Sequence, residues 1–340
     1  MADAMVKRQL RRIVEEGARL TRVEAAELLR AVLTEAPSEI QIAGLLGALA
    51  ARGETVEEVA GFVDAMREAS VAIPLSEVER GELVDTCGTG GDASGTFNIS
   101  TAAGLVAAAA GAKVAKHGNR AVTSRCGSAD VLEALGIPVG LDPAGGALAI
   151  RRHGFAFLHA PALHPALKAV MPVRRALGVR TVFNILGPMT NPAGARAQVM
   201  GVYSSHLVPL VAEALAMLGT RHAMVVHGAG GLDELSISGV SEIGEVRDGA
   251  VRLWRLEPED VGLGRAPLEA LAGGDAAENA AILRGIFTGE RGARRDIVVL
   301  NAAAVLVTAG LAGDLRKGVG LAERTIDGGL VEGLVGRLAG

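Results

Sequence analysis

The sequence is short of aromatic side chains, of cysteine, of charge of one sign and of long apolar runs, and each shortage removes a class of function. Aromatic residues make up 2% of the 340 residues, with one Trp and one Tyr. Surfaces that hold single-stranded nucleic acid depend on aromatic stacking platforms, and this chain lacks them. Charge agrees: 34 Lys and Arg against 38 Asp and Glu give a net charge of -4, with no basic stripe. The only cysteines, Cys87 and Cys126, form neither a metal-type pair nor a disulfide framework. Each reads as a small buried residue ahead of a reactive thiol. No apolar run is long enough to span a bilayer, since Lys113 and Lys116 follow the Ala-rich run after Ser100. The N-terminus also lacks a signal-peptide core. A soluble, cytoplasmic protein is expected, with neither nucleic acid nor membrane as partner.

What is abundant is small and aliphatic. Hydrophobic residues reach 49% and glycines number 46, so the core must be aliphatic, Ala-rich and closely packed. The length suffices for one large domain or two. In the first seventy or so residues, Thr21-Arg-Val-Glu24, Ser38-Glu-Ile-Gln41 and Thr55-Val-Glu-Glu58 each fit the capping-box pattern ahead of an apolar-periodic run. With the stripe of Val6, Leu10, Ile13 and Val14 they predict four short helices ending near Pro74.

From Glu82 the texture changes. Short apolar runs at 112–115, 156–158, 198–202 and 223–226 read as strands, with helices at 128–135 and 206–218 between them. This alternation predicts an α/β fold: a central, largely parallel sheet flanked by helices, with a small all-helical N-terminal domain. The expected division is residues 1–74, joined by part of 164–190, and residues 75–340. The basic stretch 166–177 reads as helix that either returns to the bundle or lines the cleft, and beyond Glu278 the chain reads as mostly helical.

The most informative segment runs from Asp85 to Thr101. After an apolar strand end at Leu83 and Val84, Gly88, Gly90 and Gly91 form a turn almost without side chains, and Asn98, Ser100 and Thr101 open a helical run. Bare backbone amides and a helix N-terminus suit an anion, most often phosphate. A second cluster, Lys116 to Ser124 with Gly127 to Asp130, mixes cations, an amide and small hydroxyls; alone it reads equally well as a solvated polar loop. Ser128 could also cap the helix carrying Val131 and Leu132. A third, Gly228 to Glu234, sets Asp233 and Glu234 after a Gly-rich turn. Alone this reads first as an ordinary acidic turn, but such a pair can ligate Mg²⁺ with water and substrate phosphates. Together the three clusters describe a site for a polyphosphorylated sugar. Walker A, zinc-type and Ser/His/Asp patterns are missing from the sequence. His153, His159 and His164 read as structural.

On these residues the chain resembles the anthranilate phosphoribosyltransferase family. The motifs that carry the resemblance are Gly88-Thr-Gly-Gly-Asp92, Asn98-Ile-Ser-Thr101, Lys116-His-Gly-Asn-Arg120, Gly127-Ser-Ala-Asp130, Val173-Arg-Arg-Ala-Leu-Gly178, Thr181 to Pro188 and Leu232-Asp-Glu234. The resemblance implies a homodimer with a small helical and a larger α/β domain. It implies that phosphoribosyl pyrophosphate is held by Gly88, Gly91, Asp92, Thr96, Asn98, Ile99, Ser100 and Thr101. Lys116, His117, Gly118, Asn119, Arg120, Ala121, Val122, Thr123, Ser124 and Ser128 would complete that site. Mg²⁺ would bind Ser100, Asp233 and Glu234, and anthranilate would meet Gly88, Asn119 and Arg174. The choice of Arg174 over Arg175 rests on the resemblance alone. Ala93, Ala121 and Thr123 depart from the family's common Gly, Ser and Ser, so a phosphate contact at Ala121 must come from backbone. The rival readings are a pyrimidine nucleoside phosphorylase, for which Asp233, Glu234 and Arg174 lack a purpose, and a non-catalytic nucleic-acid-binding relative, which the acidic balance disfavours.

Overall fold

Reciprocal caps fix where the first helices begin. The computed structural model describes residues 2–35, 37–92, 94–121 and 125–340. Helix α1 (Ala2–Glu15) is followed by α2 (Arg22–Thr34), α3 (Glu39–Arg52) and α4 (Val56–Glu68). Thr21, Ser38 and Thr55 each accept from the amide three residues on, while Glu24, Gln41 and Glu58 reach back to the cap amide. Each pair satisfies two donors that the first helical turn would otherwise orphan. Glu58 also accepts from Leu20 N at 2.8 Å and Arg52 at 2.6 Å, tying three helix ends together.

A short α5 (Glu77–Glu82) leads into β1 (Leu83–Gly88), and the α/β texture then runs α6 (Ile99–Ala109), β2 (Lys113–Gly118), α7 (Ser128–Ala134), α8 (Pro143–His153), β3 (Phe155–His159) and α9 (Ala160–Leu163). After it come α10 (Met171–Leu177), α11 (Phe183–Met189), β4 (Ala197–Gly201), α12 (Leu207–Met217) and β5 (His222–His227). A hairpin of β6 (Ser241–Arg247) and β7 (Ala250–Leu256) precedes α13 (Ala276–Phe287), α14 (Ala293–Thr308), α15 (Leu315–Asp327) and α16 (Leu330–Ala339).

The strands form one sheet in the order β3-β2-β1-β4-β5-β6-β7, parallel from β3 through β5 and antiparallel at β6 and β7. The predicted α/β class and largely parallel sheet are therefore observed, with the hairpin as an addition. Its turn is Asp248-Gly249, with φ of 48° and 83°, a backbone that Asp-Gly tolerates and that matches strand twist. Successive residues on each strand face opposite layers. Val84, Val114, Phe155 and Val199 pack under α6 and α14, while Met200 and Val225 pack on the other face with α4, α11 and α12.

The stretch 166–177 is not one helix. A 3₁₀ turn spans Pro165–Ala169 and α10 starts at Met171. Pro172 has no N–H to donate and its ring would clash with the carbonyl four residues back, so a helix cannot run through it. Val170, Val173, Phe183 and Leu186 share a hydrophobic cluster with Leu28, Leu45 and Phe62 of the N-terminal helices.

β1 is where the parallel order reverses, with β2 on one side and β4 on the other. Connections leave such a switch point in opposite directions and open a crevice beyond the strand ends. Gly88 ends β1 there, in register with Gly201 at the end of β4.

Candidate active site

The crevice floor is built from absent side chains. A Cβ on Gly201 would lie 1.5 Å from the Asp233 carbonyl oxygen, and one on Gly88 2.2 Å from Asp233 Oδ2. Only glycines at this paired position let the segment after β5 fold back over the ends of β1 and β4. A tight turn closed by Gly228 N donating to Leu232 O at 2.9 Å drives that return and delivers Asp233 and Glu234 into the crevice.

Both acids bond to the glycine-loop segment. Asp233 Oδ2 accepts from Gly90 N at 2.6 Å, and Glu234 Oε1 accepts from Ser100 N at 3.0 Å. The first free amide of α6 thus already faces an anion, one supplied by the chain, and Ile99 N donates to Phe97 O at 2.8 Å. Burial lifts Asp233 above the ordinary carboxylate range, with the charge of Asp92 adding to it. Glu234 is raised by burial and then by Asp233, while Lys116 and Ser100 pull it back. The fully buried Lys116 donates to Thr86 O at 2.6 Å and Ser100 Oγ at 3.3 Å. Burial lowers its own pKa, opposed by Cys87, Asp85, Glu234 and Asp233.

Two carboxylates that repel each other, Asp233 buried and Glu234 half-buried, beside a third in Asp92 and the Ser100 hydroxyl, are hard oxygen donors short of positive charge. That donor set fits Mg²⁺. Among the described residues no three His, Cys, Asp or Glu side chains form a group that could hold a metal ion by themselves.

The remaining residues singled out in the sequence fall into three groups. Gly88, Gly91, Asp92, Ser100, Lys116, Asp233 and Glu234 meet at the crevice. Thr96 and Asn98 extend its far wall: Thr96 Oγ1 lies 3.3 Å from Ser94 Oγ, and the Asn98 amide bridges Cys126 O at 3.2 Å and Asn279 at 2.9 Å. Ile99 and Thr101 are buried and contribute the helix start itself.

The second group lines the β2–α7 turn. Asn119 Oδ1 accepts from Arg120 N, and the Arg120 guanidinium turns to Asp130 at 3.1 Å and Glu133 at 2.6 Å. Asp130 also receives Ala121 N at 2.9 Å and Gly127 N at 2.8 Å. Gly127, not Ser128, is therefore the cap of α7. Asp130, at the third helical position, reaches back to bond the cap amide, which leaves the Ser128 hydroxyl beside Gly118, 2.8 Å from where a Cβ would sit. Val122, Thr123 and Ser124 lie outside the described residues.

The third group faces elsewhere. Because alternate strand residues point to opposite faces, Lys116 enters the crevice layer while the His117 ring lies on the back of the sheet. It stands 5.0 Å from the His164 ring, and burial pushes it down to about 3. Asp85, also on that back layer, accepts from His117 N at 3.1 Å. Arg174 stands on α10 with its guanidinium 5.4 Å over the Phe183 ring and its Nη1 3.7 Å from Met171 Sδ. It is half-buried, whereas Arg175 is exposed, and among the described residues it has no carboxylate partner. A desolvated, unpaired guanidinium is an anion receptor.

Comparison with known proteins places these features. Residues 80–331 match the model of the glycosyl transferase family a/b domain, and residues 7–70 that of the family's helical bundle domain. The anthranilate phosphoribosyltransferase of Pelotomaculum thermopropionicum is 52% identical over 326 residues, 96% of this chain and 93% of that protein. The enzyme of the same name from Chloroflexus aggregans is 54% identical over 312 residues, 91% of each. The chain belongs to the anthranilate phosphoribosyltransferase family. The solved structure of the family member from Thermus thermophilus superposes with a TM-score of 0.90 at 46% identity, covering 98% of both chains. The Saccharomyces cerevisiae member, solved in complex with PRPP and Mg, gives 0.90 at 26% identity over 99% of this chain and 97% of that one.

Thr89, Arg180 and Tyr203 also touch the glycine loop, and motif reading passed over them. Thr89 N donates to Gly201 O at 3.0 Å, Tyr203 N to Thr89 Oγ1 at 3.1 Å, and Arg180 Nη2 to Gly91 O at 2.5 Å. A threonine inside the glycine run was the one available signal. Arg180 lies just beyond the basic stretch 166–177, with no motif role of its own in the sequence.

Proposed function

We infer that the chain transfers the 5-phosphoribosyl group of phosphoribosyl pyrophosphate to the amine of anthranilate, giving N-(5-phosphoribosyl)anthranilate and pyrophosphate, the second step of tryptophan biosynthesis from chorismate. The observation that carries this reading is the Asp233–Glu234 pair folded onto the Gly88 loop and the α6 N-terminus, beside Lys116. Family membership gives it a substrate.

The amine nitrogen forms a bond to ribose C1 as the C1–O bond to pyrophosphate breaks, and the amine proton leaves to solvent. An arylamine is nucleophilic when neutral, so no strong base is needed. Ser100, Asp233 and Glu234 would hold Mg²⁺, which would supply charge stabilisation for the pyrophosphate leaving group. The segments from Gly88 to Asp92 and from Asn98 to Thr101, with Lys116 to Ser124 and Ser128, bind the phosphates through donors other than the amides of Thr89, Gly90, Ile99 and Ser100, which are already bonded within the chain. Such donors act without reorganising during the reaction. His117 is the exception within that run, because its ring lies on the back layer and its N–H is held by Asp85. Arg174 receives the anthranilate carboxylate with Gly88 and Asn119, and alignment of amine and C1 follows from holding both substrates at once.

The same reading takes the protein to be a cytoplasmic homodimer. Its small domain is residues 1–74 with part of 164–190, and its large domain residues 75–340. Support comes from the separate helical-bundle and a/b matches and from the burial of Cys87 and Cys126. Among the described residues, no helix is long and apolar enough to cross a membrane.

The test is loss of anthranilate fluorescence on mixing with phosphoribosyl pyrophosphate, with and without Mg²⁺. Metal-dependent loss with equal release of pyrophosphate is expected. A folded protein that leaves the fluorescence unchanged rejects the reading, and thymidine or uridine phosphorolysis is then the next assay.

A further inference from the structure

We propose that Arg180 and Tyr203 form a clamp that sets the conformation of the glycine loop, making Arg180 a positioning residue for the phosphoribosyl donor; the choice of donor rests on the reading above. Gly90 and Gly91 sit at φ of 67° and 73°, in a stretch with little intrinsic conformational preference. Each of its successive residues is held by a separate tertiary bond: Thr89 by Gly201 and Tyr203, Gly90 by Asp233, and Gly91 by Arg180. The first two anchor the loop to the crevice floor. Among the described residues, only Arg180 holds it from outside.

That outer bond determines which way the next donor points. In a trans peptide the C=O and the following N–H are antiparallel, and the described residues contain no cis bond. With the Gly91 carbonyl turned to Arg180, the Asp92 N–H faces away from it, the orientation an oxyanion ligand requires. Arg180 is exposed and, among the described residues, pairs with no carboxylate, so its aim comes from elsewhere. The guanidinium lies 4.1 Å from the centroid of the Tyr203 ring, a stack that orients a planar cation. Tyr203 is tied by its own N–H to Thr89, so ring, guanidinium and loop form a closed circuit. The position of Arg180 adds a second consequence. It lies between α10, which carries Arg174, and α11, whose Phe183 underlies Arg174, and so links the arginine-bearing segment to the phosphate loop.

Steady-state kinetics and amide hydrogen exchange over residues 88–92 test the clamp in Arg180→Ala, Arg180→Lys, Tyr203→Ala and Tyr203→Phe. Arg252→Ala, an arginine stacked on Trp254 at the sheet edge, serves as control. Arg180→Ala and Tyr203→Ala are expected to raise KM for phosphoribosyl pyrophosphate about tenfold, the loss expected for one charge-assisted hydrogen bond. KM for anthranilate should move much less, and exchange at 88–92 should quicken. Tyr203→Phe should behave as wild type, because the stack needs no hydroxyl, and Arg180→Lys should recover little. The Ala double variant should be no worse than either single one. Wild-type exchange and KM in folded Ala variants, or additive losses, overturn the clamp. If the wild-type protein transfers no phosphoribosyl group, the functional reading falls, while faster exchange in the variants still decides the clamp.

Discussion

Gly201 faces backbone where Gly88 faces a side chain, and the two substitutions should therefore differ. A Cβ at Gly201 meets the Asp233 carbonyl at 1.5 Å, so the whole acidic turn must move; a Cβ at Gly88 meets chiefly the carboxylate, with the Asp233 carbonyl oxygen farther off at 3.1 Å. Gly201→Ala should cost about 1–3 kcal/mol of stability, the range for overpacking, together with most of the activity. Gly88→Ala should leave the melting midpoint nearer wild type and weaken the response to Mg²⁺. Equal thermal shifts in the two variants would count against this. Arg174 and Arg175 give a second contrast. Arg174→Ala should raise KM for anthranilate roughly ten- to a hundredfold, on the scale of hydrogen bonds to a charged group; Arg175→Ala, exposed, should change it little. Reversed kinetics would move the carboxylate receptor to Arg175. The two adjacent arginines could not be told apart by residue type, because what separates them is the burial of one helix face. The facing of His117 was legible, since Lys116 and His117 are neighbours on one strand and must point opposite ways. The Arg180 stack was not, as it joins residues distant in sequence through tertiary contact alone.

At the scale of elements, local chemistry was the readable part. The caps at Thr21, Ser38 and Thr55 announce themselves because both partners lie within four residues. The β6–β7 hairpin left an equally local signal in Asp248-Gly249, but its strands carry Glu242, Glu245, Arg252 and Arg255, which dilute the apolar alternation. The break at Pro172 was likewise written in the sequence. The β2–α9 layer makes a pH prediction. Burial holds His117 down at about 3 and His164 at about 4, so both stay neutral in the folded chain while the unfolded chain takes up protons below about 6.5. The unfolded state then binds more protons, and this contribution to stability is fully present above that pH and lost as pH falls toward the folded values. Each histidine adds a slope of about 1.4 kcal/mol per pH unit in that window. Asp233 and Glu234, raised by burial, keep protons in the fold and give an opposed trend. The difference between wild type and His164→Gln isolates the histidine. Urea titrations at pH 6 and pH 5 should show the variant's stability falling less steeply; parallel behaviour would refute the assignment.

For the whole molecule the decisive feature is that the helical N-terminus does not own its core. Leu28, Leu45, Leu49 and Phe62 share one cluster with Val173, Phe183 and Leu186 of α10 and α11, with Leu207 and Val211 of α12, and with Met200 and Val225 of the sheet. Arg67 reinforces the seam by donating to Met189 O at 3.0 Å. Four short helices alone would leave much of this apolar surface in water, and a chain of that size has little core to spare. An isolated fragment of residues 1–74 should therefore lack a cooperative unfolding transition, although its caps favour local helix. In the full chain, Leu186→Ala, at a fully buried site, should cost about 2–5 kcal/mol. The loss should be felt on both sides of the seam. Trp254, the single tryptophan, sits on β7 and reports the sheet, while circular dichroism is dominated by the helices. If the core is shared, the two signals shift together in denaturant and remain superimposed in the variant, as a two-state transition requires. A helical signal that melts first, with Trp254 unchanged, would mean that the bundle and the sheet are energetically separate and that their common cluster is only contact.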